Sequence, residues 1–174
     1  MKIYDISQEV FGCQVYPGDP APERNVLSSM EKGEVCNLTA FSMCAHNGTH
    51  IDAPFHFIKD GKSVDAICLE AFVGMAYVAE HHGIVFGKDA AEIIEKAQVQ
   101  NPEAAKRILI KGPAEVSLEA AKVFASSGIL LLGNESQTVD RKMRQWLFIK
   151  CFWGRILFYL KGFACQGFRK VFIF

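Results

Sequence analysis

The segment His46-Asn-Gly-Thr-His50-Ile-Asp52-Ala-Pro-Phe-His56-Phe57 is the part of this chain from which its class and chemistry are inferred. Three imidazoles and one carboxylate fall within eleven residues of a chain that has five histidines in all. On an extended strand, the side chains at 46, 50, 52 and 56 share one parity and point to one face. Because imidazole nitrogen and carboxylate oxygen are ligands of divalent metals, this row predicts metal or acid–base chemistry on a strand or strand-edge loop.

The other features of this segment fit the same interpretation. A single histidine is most often a packing or surface residue, but four ligand-type residues in one register are seldom incidental. Gly48 lets the backbone take a positive φ or approach an ion closely, and Pro54 stiffens the chain before His56. His81 and His82 are too distant from the segment to join it, and we expect them at the surface or at a strand end.

The segments around the cluster predict an α/β domain. Apolar strands alternate with stretches of helical spacing, an order that indicates a partly parallel sheet. A length of 174 residues suits a single domain with a real core. Strands are predicted at 2–7, 35–44, 72–80, 107–111 and 129–133, and helices at 88–98 and 118–127, the second capped by Ser117. Residues 15–22 form a loop rich in Pro and Gly.

Charge and composition restrict the class of partner. The formal net charge is zero, so the whole molecule offers no electrostatic reason to bind nucleic acid or an anionic membrane. No apolar run reaches the length of a membrane span, and the N-terminus lacks the apolar region of an export signal. The six cysteines form no CxxC pair and read as free thiols. We therefore expect a cytoplasmic protein with a small-molecule substrate, and neither nucleic acid nor a membrane as partner.

The composition changes after residue 140. Residues 141–174 contain no Asp or Glu, eight Lys and Arg, and both tryptophans. Neither helical nor strand periodicity fits this tail well. Three interpretations remain open: a basic aromatic segment for a membrane surface or nucleic acid, an unusual β-rich end of the domain, or translation in a shifted reading frame.

The cluster resembles the motif of the metal-dependent cyclase/hydrolase family that includes bacterial kynurenine formamidase (arylformamidase). The segment from His46 to Phe57 carries this resemblance and is highly specific. Three flanking motifs support it, and the similarity covers about residues 1–140. These motifs are Asp5-Ile-Ser, Tyr16-Pro-Gly-Asp19 and the segment Leu132-Gly-Asn-Glu-Ser-Gln-Thr.

The resemblance implies a fold, a cofactor and roles for particular residues. The implied fold is a swivelling β/β/α-type single domain, a mixed sheet flanked by helices, in a homodimer or homotetramer. His46, His50 and Asp52 would bind one ion, most plausibly Zn²⁺ although Mn²⁺ or another divalent ion would serve, with Asp52 reaching toward a second ion. His56 would be the general acid/base, and Tyr16 would lie beside the substrate ring.

The resemblance also has a limit. Members of this family continue with a helix that bears a metal-binding His and a strand that bears a bridging Glu, whereas this chain has no His after His82 and no Glu after Glu135. A frameshift explains both this departure and the change in composition most economically. We therefore expect a cyclase-like domain at 1–140 with an incomplete C-terminal part, and a divergent basic aromatic tail at 141–174.

The implied activity is hydrolysis of a carbon–nitrogen bond in a linear amide, above all conversion of N-formylkynurenine to kynurenine and formate in tryptophan catabolism. Because two family ligands are missing, we expect weak metal binding and impaired turnover. Two alternatives stay open. One is a related hydrolase of another amide, cyclic imide or lactone, and the other is a non-catalytic binding protein that uses the basic tail.

Overall fold

The computed structural model describes residues 5–137 and the backbone of two further strands, 158–161 and 170–173. The elements are β1 Glu23–Ser28, β2 Leu38–Ser42, β3 His50–Asp52, β4 Gly74–Glu80, β5 Gly83–Val85, α1 Gly87–Gln100, β6 Arg107–Lys111, β7 Ala114–Val116, α2 Leu118–Ser126, β8 Leu131–Asn134, β9 Phe158–Lys161 and β10 Lys170–Ile173. The predicted strand at 2–7 is wrong for residues 5–7, which belong to no strand, and its other residues lie outside the described part.

A six-stranded mixed sheet organises the domain, with the order β10-β4-β6-β8-β9-β3. The four inner strands run parallel to one another, and β10 and β3 pair antiparallel at the two edges. The predicted α/β class with a partly parallel sheet is thus confirmed. Strands β9 and β10 come from beyond residue 140, so the backbone of the tail enters this sheet at two places. The rest of 141–174 lies outside the described residues, and the proposed domain boundary stays a prediction.

Alternating side chains of the central strands fill the two faces of the sheet. Ile108 and Ile110 of β6 pack with α1 and α2 on one face, where Phe124 of α2 is fully buried. Leu109 packs on the opposite face with Ile6 and the short turns that precede β4. Period-two alternation on both faces is expected of a central strand in a parallel sheet. Both described helices therefore cover the same face.

Local sequence signals explain where the helices begin. The Ser117 hydroxyl accepts a hydrogen bond from the Ala120 amide at 3.1 Å, which caps α2 as the sequence predicts. The Phe86 amide donates to the Asp89 carboxylate at 2.8 Å at the start of α1. Helix α1 extends one residue earlier and two residues later than predicted, and the strand predicted at 129–133 is displaced to Leu131–Asn134.

Strands β1 and β2 form a separate two-stranded antiparallel sheet. All their residues except Ser28 are exposed, although the Phe11 ring lies 6.4 Å from the Phe41 ring and 4.3 Å from the Arg24 guanidinium. Within that part of the chain, no helix has both the length and the apolar character needed to cross a membrane. Four of its cysteines are free thiols, namely Cys13, Cys36, Cys44 and Cys68.

Candidate metal centre

The histidine segment is not one continuous strand, and the structural basis of the parity prediction is wrong. Only His50–Asp52 form a strand, β3, at the edge of the large sheet. His46 lies in a turn, and His56 ends a short 3₁₀ helix that begins at Pro54. Gly48 permits this path because its φ of 66° lies in the left-handed region. The turn folds His46 back over β3, which an extended strand could not do.

The folded segment nevertheless brings the predicted ligands together. One ligand atom from each of His46, His50 and Asp52 lies within 4.8 Å of the others. The His46 and His50 ring centroids are 5.0 Å apart, and the His46 and His56 centroids are 4.4 Å apart. All four predicted side chains therefore meet at one place.

The spacing of the three ligands fits a divalent cation. His46 Nδ1 lies 3.3 Å and His50 Nε2 lies 3.6 Å from Asp52 Oδ1. These separations exceed those of a strong charge-assisted hydrogen bond, about 2.7–2.9 Å. Two atoms bound tetrahedrally to one zinc, each about 2.0–2.2 Å from it, are about 3.3–3.6 Å apart. The donor set and its spacing thus suit a zinc-sized ion.

Burial of the carboxylate supports the same conclusion. Asp52 is only 4% exposed at the edge of the sheet. Burying an ionised carboxylate is costly unless a positive charge compensates it, and a coordinated cation is one such charge. Its two histidine neighbours are more accessible, since the side chains of His46 and His50 are 28% and 10% exposed. The centre therefore opens toward solvent on the His46 side.

The tautomer of a neutral His50 follows from its backbone partner. Its Nδ1 lies 2.9 Å from the Gly48 carbonyl oxygen, which can only accept a hydrogen bond. In the neutral imidazole, Nδ1 therefore carries the proton and donates, and the lone pair is on Nε2, the atom that faces Asp52. In metal sites, a hydrogen bond from the ring nitrogen that does not bind the ion orients the imidazole ligand in this way.

His56 differs from the other two imidazoles in its surroundings. It is exposed, and its ring packs between His46 and Phe57, with centroids 4.4 Å and 4.1 Å away. It does not belong to the group of three that could share an ion. An exposed imidazole beside a metal centre can exchange protons with solvent, so this placement is compatible with the predicted acid/base role.

Tyr16 lines a cleft of about 510 Å³. Gln8 and Glu135 also line this cleft, and the Gln8 amide donates to Thr49 Oγ1 at 3.0 Å, inside the histidine segment. The histidines are not among the described lining residues. The hydrogen bond from Gln8 therefore joins the lining of the cleft to the histidine segment.

Sequence reasoning missed the residues that hold the segment in place. Asn47 is buried between two candidate ligands and hydrogen-bonds to Cys44 and Pro20. The Gln8 amide donates to Oγ1 of Thr49, a residue 41 positions away in the sequence. Contacts between residues so far apart in sequence produce no periodic pattern, so they could not be predicted. The position of Asn47 within the histidine segment was the one sequence feature that could have indicated its role.

The two remaining histidines lie where the sequence placed them, away from the centre. His81 and His82 connect β4 to β5. The His82 side chain is 67% exposed and lies 3.9 Å from Glu80, and His81 Nε2 lies 3.2 Å from the Ile84 carbonyl.

The chain is similar to several known proteins in sequence and in fold. Residues 4–141 match the family described as "Putative cyclase". A kynurenine formamidase of Bacillus cytotoxicus is 31% identical over 149 residues, which span 78% of this chain and 69% of the relative. A solved structure of a potential metal-dependent hydrolase with cyclase activity superposes with a TM-score of 0.78 at 21% identity, covering 98% of this chain and 87% of the other. Isatin hydrolase A from Labrenzia aggregata, bound to benzyl benzoate, gives 0.70 at 21% identity, with 95% and 81% covered.

Proposed function

The chain belongs to the cyclase family, and from this membership we propose that it is a metal-dependent hydrolase of the carbon–nitrogen bond in a linear amide. The convergence of His46, His50 and Asp52 is the observation that carries the proposal. N-formylkynurenine, cleaved to kynurenine and formate, is the substrate we propose first. The name of the 31% identical relative supports this choice.

Each residue has a proposed part in that reaction. When bound, a divalent ion such as Zn²⁺ supplies an activated water and polarises the scissile carbonyl. Asp52 and the Nε2 atom of His50 would hold it together with His46, and Mn²⁺ or another divalent ion could replace Zn²⁺. The exposed His56 would take up a proton and return it to the leaving amine nitrogen. Tyr16 would contact the substrate ring from the wall of the cleft.

A second candidate is a related hydrolase of another amide, a cyclic imide or a lactone that uses the same residues. The likeness of the fold to isatin hydrolase A favours considering it. The metal centre constrains the reaction type more than the acyl substrate, so the substrate must be found by profiling. A non-catalytic binding protein that uses the tail is the alternative of another class. Salt-dependent binding to lipid or nucleic acid that is lost on removing 141–174 would favour that alternative.

We further propose that turnover is impaired in this 174-residue chain. Residues 141–174 hold neither His nor Glu, so this stretch lacks the two further ligands that the resemblance implies. Three protein ligands and a water can suffice for catalytic zinc, but fewer ligands bind the ion less tightly. The expectation is weak metal binding with low residual hydrolysis. Near-stoichiometric zinc in the isolated protein, with a rate equal to that of the relatives, would contradict impairment.

The decisive experiment compares Asp52→Asn with the exposed Asp60→Asn. Zinc affinity, measured by chelator competition, should fall more than about 100-fold in the first variant, because a ligand is lost, and remain unchanged in the second. Hydrolysis of N-formylkynurenine should fall with the zinc affinity. Isatin and a lactone are tested in parallel. Equal zinc affinity in both variants would refute the assignment of the metal site.

For the oligomeric state we propose a homodimer or homotetramer in which the β1–β2 hairpin packs on a second copy of the chain. A two-stranded sheet exposed on both faces is marginally stable alone. Its exposed apolar side chains include Val26, Leu27 and Phe41, which contact with a second copy would bury.

Sedimentation velocity tests the proposed contact. Val26→Lys, which places a charge on the exposed hairpin, should convert the oligomer to monomer. Val99→Lys on α1, where Val99 is also exposed, should not. A wild-type monomer, or a Val26→Lys oligomer of wild-type size, would refute this contact.

A further inference from the structure

Asn47 is a buried polar residue between two candidate ligands. Its exposed fraction is 2%, and both ends of its amide are hydrogen-bonded. The side-chain oxygen accepts from the Cys44 amide at 2.7 Å, and the side-chain nitrogen donates to the Pro20 carbonyl at 3.3 Å. A buried amide satisfied at both ends by the backbone of two different segments holds those segments at a fixed separation.

The first bond closes the turn that carries His46. The Asn47 backbone amide also donates to the Cys44 carbonyl, at 3.0 Å, so main chain and side chain close the same turn. His46 lies inside this turn, directly before Asn47. Its position over β3 therefore depends on the Asn47 oxygen.

The second bond reaches the loop that carries Tyr16. That loop is closed by the Asp19 amide, which donates to the Tyr16 carbonyl at 3.0 Å, and Pro20 follows directly. Tyr16 itself lines the cleft, and Gln8 of the same cleft is hydrogen-bonded to Thr49 of the histidine segment. One side chain thus connects the turn of a candidate ligand to the wall of the candidate substrate cleft.

We propose that Asn47 is a positioning residue that fixes the Tyr16 loop against the turn of His46 and thereby sets the cleft relative to the metal centre. The consequence for substrate binding rests on the proposed function. The consequence for metal affinity rests on it as well, whereas the consequence for loop order does not. Two substitutions at Asn47 distinguish the effects of the two hydrogen bonds, because one substitution removes a single bond and the other removes both.

Asn47→Asp, studied at pH 8, keeps an acceptor for the Cys44 amide, but an ionised carboxylate cannot donate to the Pro20 carbonyl. Asn47→Ala removes both bonds. The matched control is Asn37→Ala, because Asn37 is exposed in the hairpin and its side chain accepts from the Met30 amide, away from the cleft.

Three measurements follow on each variant. These are amide exchange of residues 14–22 by mass spectrometry, zinc affinity by chelator competition, and binding of N-formylkynurenine to the metal-free protein by calorimetry. In Asn47→Asp, exchange in 14–22 should rise about fivefold, the usual worth of one hydrogen bond, while zinc affinity does not fall. In Asn47→Ala, exchange should rise and zinc affinity should also fall about 10- to 100-fold, as for other groups that orient metal ligands. Binding of N-formylkynurenine should weaken in both variants, and Asn37→Ala should match the wild type.

Unchanged exchange of residues 14–22 in Asn47→Asp would overturn the proposal, as would undiminished zinc affinity in a folded Asn47→Ala variant. If N-formylkynurenine fails to bind even the wild type while the exchange and zinc results hold, the proposed substrate is wrong and the positioning role of Asn47 stands.

Discussion

His56 and His50 both lie at the centre, but their different environments suit them to different roles. His50 is held by the Gly48 carbonyl and faces Asp52, whereas His56 is exposed and packs against His46 with its ring tilted. We expect His56→Asn to lower residual amide hydrolysis about 10²- to 10⁴-fold, the usual contribution of a general acid/base, with zinc affinity within about threefold of wild type. The exposed His82→Asn is the control and should change neither quantity. A large loss of zinc affinity in His56→Asn would instead make His56 a ligand.

The grouping of the candidate ligands could be predicted from residue type and spacing, but the path of the chain that brings them together could not. Residue type and close spacing indicated that His46, His50 and Asp52 belong together, and the structure brings them together. The strand argument failed because Gly48 turns the chain, and the sequence does not say whether a glycine takes a positive φ. Asn47 was missed because its partner Pro20 is 27 positions away.

At the scale of elements, α2 shows how a local signal contributes to stability. The Ser117 hydroxyl caps its first turn, and its buried face packs on the central sheet. We expect Ser117→Ala to lower the free energy of unfolding by about 1 kcal/mol in urea denaturation, because the Ala120 amide loses its partner. Ser126→Ala, at the exposed end of the same helix, should change it by less than about 0.5 kcal/mol. Equal effects of the two substitutions would show that the cap contributes nothing particular.

Elements with strong local signals were the ones that sequence reasoning located. Both helices and the strand Arg107–Lys111 have clear periodicity or a continuous apolar run, and they lie within two residues of their predicted bounds. The three-residue strand β3 is too short to have a period, and its pairing is set by β9, which lies 106 or more positions away in the chain. Strands β9 and β10 were covered only by the open interpretation of a β-rich end and could not be located, because the composition of the tail follows neither period.

The metal strand, β3 with His50 and Asp52, depends on the tail for its place in the sheet. Strand β3 joins the sheet through β9, with Ile51 opposite Leu160, and β9 in turn pairs with β8. A proline in β9 removes a ladder hydrogen bond. We therefore expect Leu160→Pro to weaken zinc binding at least about tenfold as well as destabilise the fold.

Phe172→Pro is the matched control, because β10 lies at the opposite edge of the sheet and pairs with β4. It should lower thermal stability and leave zinc affinity unchanged. Equal zinc affinity in the wild type and Leu160→Pro would mean that β9 does not position the metal strand. That result would favour the proposal that 141–174 is a tail separate from the cyclase-like domain.

The position of a bound ion shows whether His46, His50 and Asp52 form the metal site. Crystals grown with Zn²⁺ are measured on both sides of the zinc absorption edge, which locates zinc by its anomalous scattering alone. We predict a peak bounded by His46, His50 and Asp52, about 2.0–2.2 Å from each ligand atom. A fully bound zinc ion elsewhere in the chain, with no peak among these three side chains, would contradict this prediction.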